Sequence, residues 1–146
     1  MSQPSAATLA HPLIEVQWTG ALAFEAGRAA GPRVRIDGDG HSAPSPFDLL
    51  LTAIATCAAV DVVSILEKQR TPARALVIRV EATRVDSIPR RLASAVLHFE
   101  ITAPGTTLDK ATGAVELSVE KYCSVRSSLI ADATVGWQVA LGASGV

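Results

Sequence analysis

The run from Leu49 to Leu66 constrains this chain more than any other segment. Leu49, Leu50, Leu51, Ala53, Ile54, Ala55, Ala58, Ala59, Val60, Val62, Val63, Ile65 and Leu66 cover nearly every side of a helix with apolar groups. A helix without a polar face belongs in the middle of a fold rather than on its surface. Its start is marked by Ser45-Pro46-Phe47-Asp48. Ser45 can cap, Pro46 suits the first helical position, and Asp48 stands where a capping box places its acid. The helix is expected to continue to about Lys68 or Gln69 and to stop before Thr71-Pro72. The length approaches that of a membrane span, but Thr52, Thr56, Asp61 and Ser64 interrupt it. Asp61 would be costly in hydrocarbon, so a buried helix of a soluble protein is expected and no membrane role. The plain reading of Asp61 is a structural ion pair with a lysine or arginine.

Strands surround this helix. Ile14, Val16 and Trp18 alternate with Glu15 and Gln17, as in a half-buried strand. Thr19-Gly20 turns the chain, Ala21 to Phe24 returns it, and Gly27 to Pro32 forms a second turn that contains Arg28. Arg33 to Ile36 makes a third strand, and Asp37 to His41 is a loop by composition. Beyond the helix, Ala75 to Thr83 and Leu92 to Thr102 alternate and form a hairpin. Leu108 to Lys121 carries Leu108, Ala111, Val115 and Val119 on one helical side. A break precedes Cys123, Ser124 to Ile130 suits a short third helix, and Thr134 to Leu141 is a last strand with Val135, Trp137, Val139 and Leu141 inward. The order βββ-α-ββ-α-α-β predicts an antiparallel α+β fold. Residues 1–12 read as a flexible tail, and residues 13–146 as one domain.

Hydrophobic residues make up 49% of the chain and charged residues 18%. That is more apolar material than a lone subunit of 146 residues needs, which points to a large subunit interface. The net charge of −1 offers no field for nucleic acid or an anionic membrane. Met1 to Pro12 has no basic stretch followed by an apolar one, so no signal peptide is expected and the protein is placed in the cytoplasm. The chain has two cysteines and three histidines, with no CxxC and no clustering, so neither a metal nor a cofactor is anticipated.

Three stretches resemble the OsmC/Ohr family of thiol-dependent hydroperoxide reductases. They are Ser45-Pro46-Phe47-Asp48-Leu49-Leu50, the run from Cys57-Ala58-Ala59-Val60-Asp61 to Leu66, and Glu120-Lys121-Tyr122-Cys123-Ser124-Val125. The second and third are most similar to the YhfA-like branch, and the element order matches over about residues 13–141. The resemblance implies two central helices between antiparallel sheets, in an intertwined homodimer. It also implies that Cys57 attacks an organic hydroperoxide, that Cys123 resolves the product to a disulfide, and that a dithiol reductant restores both.

Such an attacking cysteine must be a thiolate near a cation. Cys57 lies about three turns into its helix, too far for the helix dipole to act. In the Ohr type an arginine follows the first strand; here that turn is Thr19-Gly20-Ala21. The Ohr-type acid ten residues before the cysteine is replaced by Phe47, while Asp48, one position on, matches OsmC and YhfA-like chains. Arg28 is the first-choice substitute cation, with Arg126, Arg84, Arg90 and Arg91 as others. Glu120 is placed to orient a cation. Each of these has a plain reading beside it: both cysteines as small buried hydrophobes, Arg28 and Glu120 as solvated charges, Asp48 as a cap. The rivals to a peroxidase are a non-catalytic protein that binds a small hydrophobic ligand at its dimer interface, and a slow redox sensor.

Overall fold

The computed structural model describes residues 6–143. Of the expected tail, residues 1–5 lie outside the described residues, as do the last three of the expected domain. Residues 6–12 are exposed and carry no regular structure. The chain divides into two compact units, 1–49 and 50–146.

The first unit is a three-stranded antiparallel sheet in the order β1 (Ile14–Gly20), β2 (Ala23–Arg28), β3 (Val34–Asp37). β2 runs further than its apolar residues indicate. Arg28 pairs with Ile14, so Gly27 and Arg28 complete the strand and do not open a turn. The β1 ladder overrides the glycine here. A Cβ at Gly27 would also collide with the Pro32 carbonyl, so glycine lets the chain double back closely. The apolar residues of this sheet are poorly covered in the single chain: Val16 is 62% and Trp18 66% exposed. After β3, the Asp37 carboxylate accepts from the N–H groups of Ser42 and Asp39 and from the Ser42 hydroxyl. These bonds, the Ser42 N–H foremost, hold the Asp37 carboxyl down at about 2.

Helix α1 spans Pro46–Lys68. The capping box forms as its sequence specifies: the Ser45 N–H donates to Asp48 Oδ2 at 2.8 Å, and the Asp48 N–H donates to Ser45 Oγ at 3.1 Å. At the other end Arg70 takes a left-handed conformation, with φ 63°. The Thr71 N–H then reaches back to the Leu66 carbonyl at 3.0 Å, and Pro72 prevents continuation.

The second unit holds strands β4 (Ala75–Arg84), β5 (Leu92–Thr102) and β6 (Thr134–Leu141) in that order. β4 and β5 pair antiparallel over their whole length. The third pairing departs from the expected antiparallel sheet: β5 and β6 run parallel, with Leu97 opposite Trp137. The chain between them crosses over through two helices, and a crossover of that length brings a strand back in its original direction. The α+β class and the order of elements stand.

The core of this unit takes Ile54, Ala58, Val62 and Leu66 from one row of α1, each fully buried. Leu97, Phe99 and Ile101 of β5 and Ala111, Val115 and Val119 are buried in the same unit. By length and composition α1 could cross a membrane, yet this row is occupied by protein packing. Val60, on another side, is 67% exposed. Asp61 corrects an expectation. It is only half-buried and makes no ion pair among the described residues.

Helix α2 spans Leu108–Leu117, capped by Thr107, whose hydroxyl accepts from the Lys110 N–H at 3.2 Å. The anticipated continuation to Lys121 is a widened π-helical turn, Ser118–Tyr122. Cys123 is extended, and the short helix α3, Ser124–Ser127, follows at once.

Candidate functional site

The π-helical turn is fastened to α1 at two carbonyls one turn apart. The buried Ser118 hydroxyl donates to the Ala58 carbonyl at 2.7 Å. The Cys123 thiol lies 3.8 Å from the Ile54 carbonyl. Single π-helical turns within a helix often accompany functional sites, because the extra residue redirects the side chains beyond it. Here it delivers Cys123, only 3% exposed, to the stretch of α1 that carries Cys57.

Both cysteines are free thiols. Each bears on the other's protonation, with opposite consequences. Burial pushes the Cys57 thiol up, but four donors together outweigh it and bring the group below its ordinary value. They are the Val125 N–H, the Ser124 hydroxyl, the Cys123 thiol and the Ser124 N–H. The Ser124 hydroxyl stands 3.8 Å from Cys57 Sγ. Burial also pushes the Cys123 thiol up, against the Arg126 N–H that points at its sulfur from 3.4 Å. Donation to Cys57 and the nearness of the Cys57 charge raise it further. The arrangement favours one thiolate and one thiol, with the proton on Cys123.

Beyond the sulfurs, Arg126 pairs with Glu120 at 3.3 Å, and Glu120 also accepts from the indole N–H of Trp137 at 3.2 Å. Among the described residues no three His, Cys, Asp or Glu side chains gather to hold a metal.

A family model described as OsmC-like protein matches residues 38–138, which include both cysteines, the π-helical turn and all of α1. The chain belongs to the OsmC-like family. It is 38% identical to protein YhfA of Escherichia coli strain K12 over 111 residues, covering 75% of this chain and 83% of YhfA. The fold is also that of an OsmC-like protein from Mycoplasma pneumoniae, with TM-score 0.76 and 15% identity over 90% of this chain and 97% of that one. An organic hydroperoxide resistance protein from Legionella pneumophila shares it with TM-score 0.65 and 15% identity, over 92% of this chain and 99% of the other.

This OsmC-like chain brings Cys57, Cys123, Glu120 and Arg126 into one neighbourhood of the second unit. Asp48 sits in the first unit, where Ser45 bonds hold its carboxyl below the usual range. Arg28 also belongs to the first unit, at the exposed end of β2, and makes no ion pair among the described residues. Arg91 pairs with Asp132 through two bonds, at 3.1 and 2.7 Å, and Arg84 donates to the Arg90 carbonyl. Sequence reasoning sought the activator among side-chain cations and missed three of the four donors that act on Cys57. Two are backbone N–H groups, which carry no residue signature. The third, the Ser124 hydroxyl, was visible as the residue after Cys123 in the family motif.

Proposed function

We propose that the chain reduces organic hydroperoxides with Cys57 as attacking thiolate and Cys123 as resolving thiol, in cytoplasmic defence against oxidative stress. The observation that carries this reading is that Cys123 and its neighbour Ser124 reach the turn of α1 that bears Cys57, the Cys123 thiol 3.8 Å from the Ile54 carbonyl and Ser124 Oγ 3.8 Å from Cys57 Sγ, with Cys57 held below its ordinary value and Cys123 above it. Two inert structural cysteines have no reason to divide a proton in this way.

The Cys57 thiolate attacks the outer peroxide oxygen. An S–O bond forms, the O–O bond breaks, and the leaving alkoxide takes a proton, for which Cys123 is the adjacent source. Cys57 is then a sulfenic acid. The Cys123 thiolate attacks that sulfur, the S–S bond forms, and hydroxide leaves and is protonated to water. The sum is one hydroperoxide and two thiols converted to an alcohol, water and a disulfide. A dithiol reductant returns the pair by exchange. Arg28 enters the proposal as a cation that favours the thiolate, Asp48 as an acid at the start of α1, and Glu120 as the residue that orients Arg126. Arg28→Ala is expected to slow peroxide attack while leaving the fold intact; an unchanged rate removes it from the site.

The working unit is proposed to be a homodimer. Support comes from the apolar residues of β1 and α1 that the single chain leaves uncovered, Val16, Trp18 and Val60 among them.

The test is stopped-flow oxidation of the reduced protein by cumene hydroperoxide and by hydrogen peroxide. Rapid oxidation by the organic peroxide, ending in one disulfide per chain, is the expected result. Thiols that survive excess cumene hydroperoxide would overturn the proposal. A second reading, binding of a small apolar ligand without turnover, draws on a groove of about 370 Å³ in the first unit. It is lined by Val16, Phe24, Ile36, Pro46 and Leu49, all apolar. Tight binding of an apolar fluorophore by a protein whose thiols ignore peroxide would favour it.

A further inference from the structure

Apart from the Cys123 thiol, the donors to the two sulfurs lie on a very short piece of chain. The N–H groups of Ser124 and Val125 act on Cys57, and that of Arg126 points at Cys123. These residues form α3, one turn of helix, Ser124–Ser127. A helix of that length has almost no stability of its own. Something else must keep its N–H groups in place.

Glu120 and Arg126 straddle Cys123, three residues to either side, and their ion pair at 3.3 Å closes the turn that carries it. Their side chains are 47% and 33% exposed, so solvent screens the pair and it adds little to global stability. Its effect is local. The other Glu120 oxygen accepts the Trp137 indole N–H at 3.2 Å. Trp137 belongs to β6 and pairs in register with Leu97, a fully buried residue of the central strand β5. A short, weak turn is thereby tied through one carboxylate to the sheet of its unit.

We propose that Trp137 is a positioning residue for the thiol pair: by holding Glu120, and through it Arg126, it fixes the turn whose N–H groups face the sulfurs of Cys57 and Cys123. This rests on the reading of Cys57 as the attacking thiolate. The titratable and charged groups at the turn are Cys57 on α1, Cys123, Glu120, Lys121 and Tyr122 on the π-helical turn, with Lys121 Nζ 5.4 Å from the Tyr122 ring centre, and Arg126 on α3; β6 contributes only the neutral indole.

Trp137→Phe keeps an aromatic ring and removes the N–H. The measurement is site-resolved alkylation of Cys57 by iodoacetamide against pH, beside thermal unfolding of the same sample. The expected result is a Cys57 profile displaced to higher pH and alkylation at neutral pH slowed about three- to tenfold, the loss of thiolate that a shift of up to one unit produces. The unfolding midpoint should stay near wild type. Raising the pH above the displaced titration should restore the rate, which a distorted or blocked site would not allow. Glu120→Gln should displace the profile in the same direction. The double variant should be no slower than the worse single one, because both act through one connection. A Trp137→Phe or Glu120→Gln protein with the wild-type Cys57 profile overturns the inference. Failure of the peroxidase reading is read separately, in whether hydroperoxide oxidises wild type, since alkylation needs no peroxide.

Discussion

The Cys123 thiol approaches α1 beside Cys57, and the same nearness that favours a thiolate at Cys57 suppresses one at Cys123. The two sulfurs therefore differ in chemistry although they are neighbours. Titration of such a pair belongs to both groups at once, and its lower step is the one that exposes Cys57 as a nucleophile.

Alkylation resolved by site should reveal this asymmetry. Reduced protein treated with limiting iodoacetamide at neutral pH is expected to carry the label on Cys57 first, with Cys123 following only at higher pH. Labelling of Cys123 ahead of Cys57, read by peptide mass spectrometry, would reverse the assignment of roles. The shift also sets a stability trend. A thiol whose value is depressed by folding stabilises the folded chain above its unfolded value, and this contribution fades as pH falls through the folded value. Cys57→Ser should therefore flatten the change in stability over the neutral to mildly alkaline range.

Removing the resolving thiol should stop the reaction half-way. Cys123→Ser, treated with one equivalent of cumene hydroperoxide, is expected to accumulate a sulfenic acid on Cys57 that dimedone traps, and to pass to sulfinic acid in excess peroxide. Wild type should instead lose two hydrogens and give no dimedone adduct. An adduct on wild type with no disulfide would mean that Cys123 does not resolve.

Ser124→Ala tests the side-chain donor apart from the backbone ones. The contact to Cys57 is long, at 3.8 Å, so the expected loss is modest. We expect Cys57 to titrate higher and to react more slowly at neutral pH, by less than about tenfold, or about 1.4 kcal/mol. A larger loss would mean that the hydroxyl also binds the peroxide.

How far the sequence carries such predictions differs from element to element. The bounds of β5 and β6 were legible because Leu97, Phe99 and Ile101, and then Val135, Trp137 and Val139, alternate without interruption. The parallel pairing of those strands was not, since alternation fixes which residues face inward and says nothing of direction. The start of α1 was legible because its capping box is local chemistry. The π-helical turn was hidden. Its apolar spacing from Val115 to Val119 suits an ordinary helix, and the extra residue is set by tertiary anchors such as Ser118 on the Ala58 carbonyl. At the site, the cysteine pair was legible only through the family motifs. Trp137 read as one more inward apolar residue, and its N–H acquires a role only when folding places Glu120 before it.

The anchor at Ser118 offers a stability test independent of peroxide. Its hydroxyl is fully buried and bonded at 2.7 Å. Ser118→Ala removes a donor whose acceptor sits within α1, so the expected cost is about 1 kcal/mol, the net worth of one hydrogen bond. Denaturant unfolding measures it. Because the same residue fastens the turn that delivers Cys123, disulfide formation should slow as well, while the first step at Cys57 changes less. Equal slowing of both steps would show that the turn moves as a block with α1.

Val60 tests the proposed dimer. It lies on the helix that carries Cys57, is 67% exposed in the single chain, and has no polar function to serve there. Exposed residues usually tolerate substitution within about 0.5 kcal/mol. If the chain worked alone, Val60→Asp would be nearly silent. In a homodimer that covers this side of α1, the same change buries an unpaired carboxylate against apolar surface, which costs several kcal/mol unless the partner moves away. The expected outcome is a wild-type protein that sediments as a dimer at micromolar concentration and a Val60→Asp protein that sediments as a monomer or precipitates. A Val60→Asp protein with wild-type mass and wild-type unfolding would place the interface elsewhere, with the uncovered sheet residues Val16 and Trp18 as the next substitutions to make.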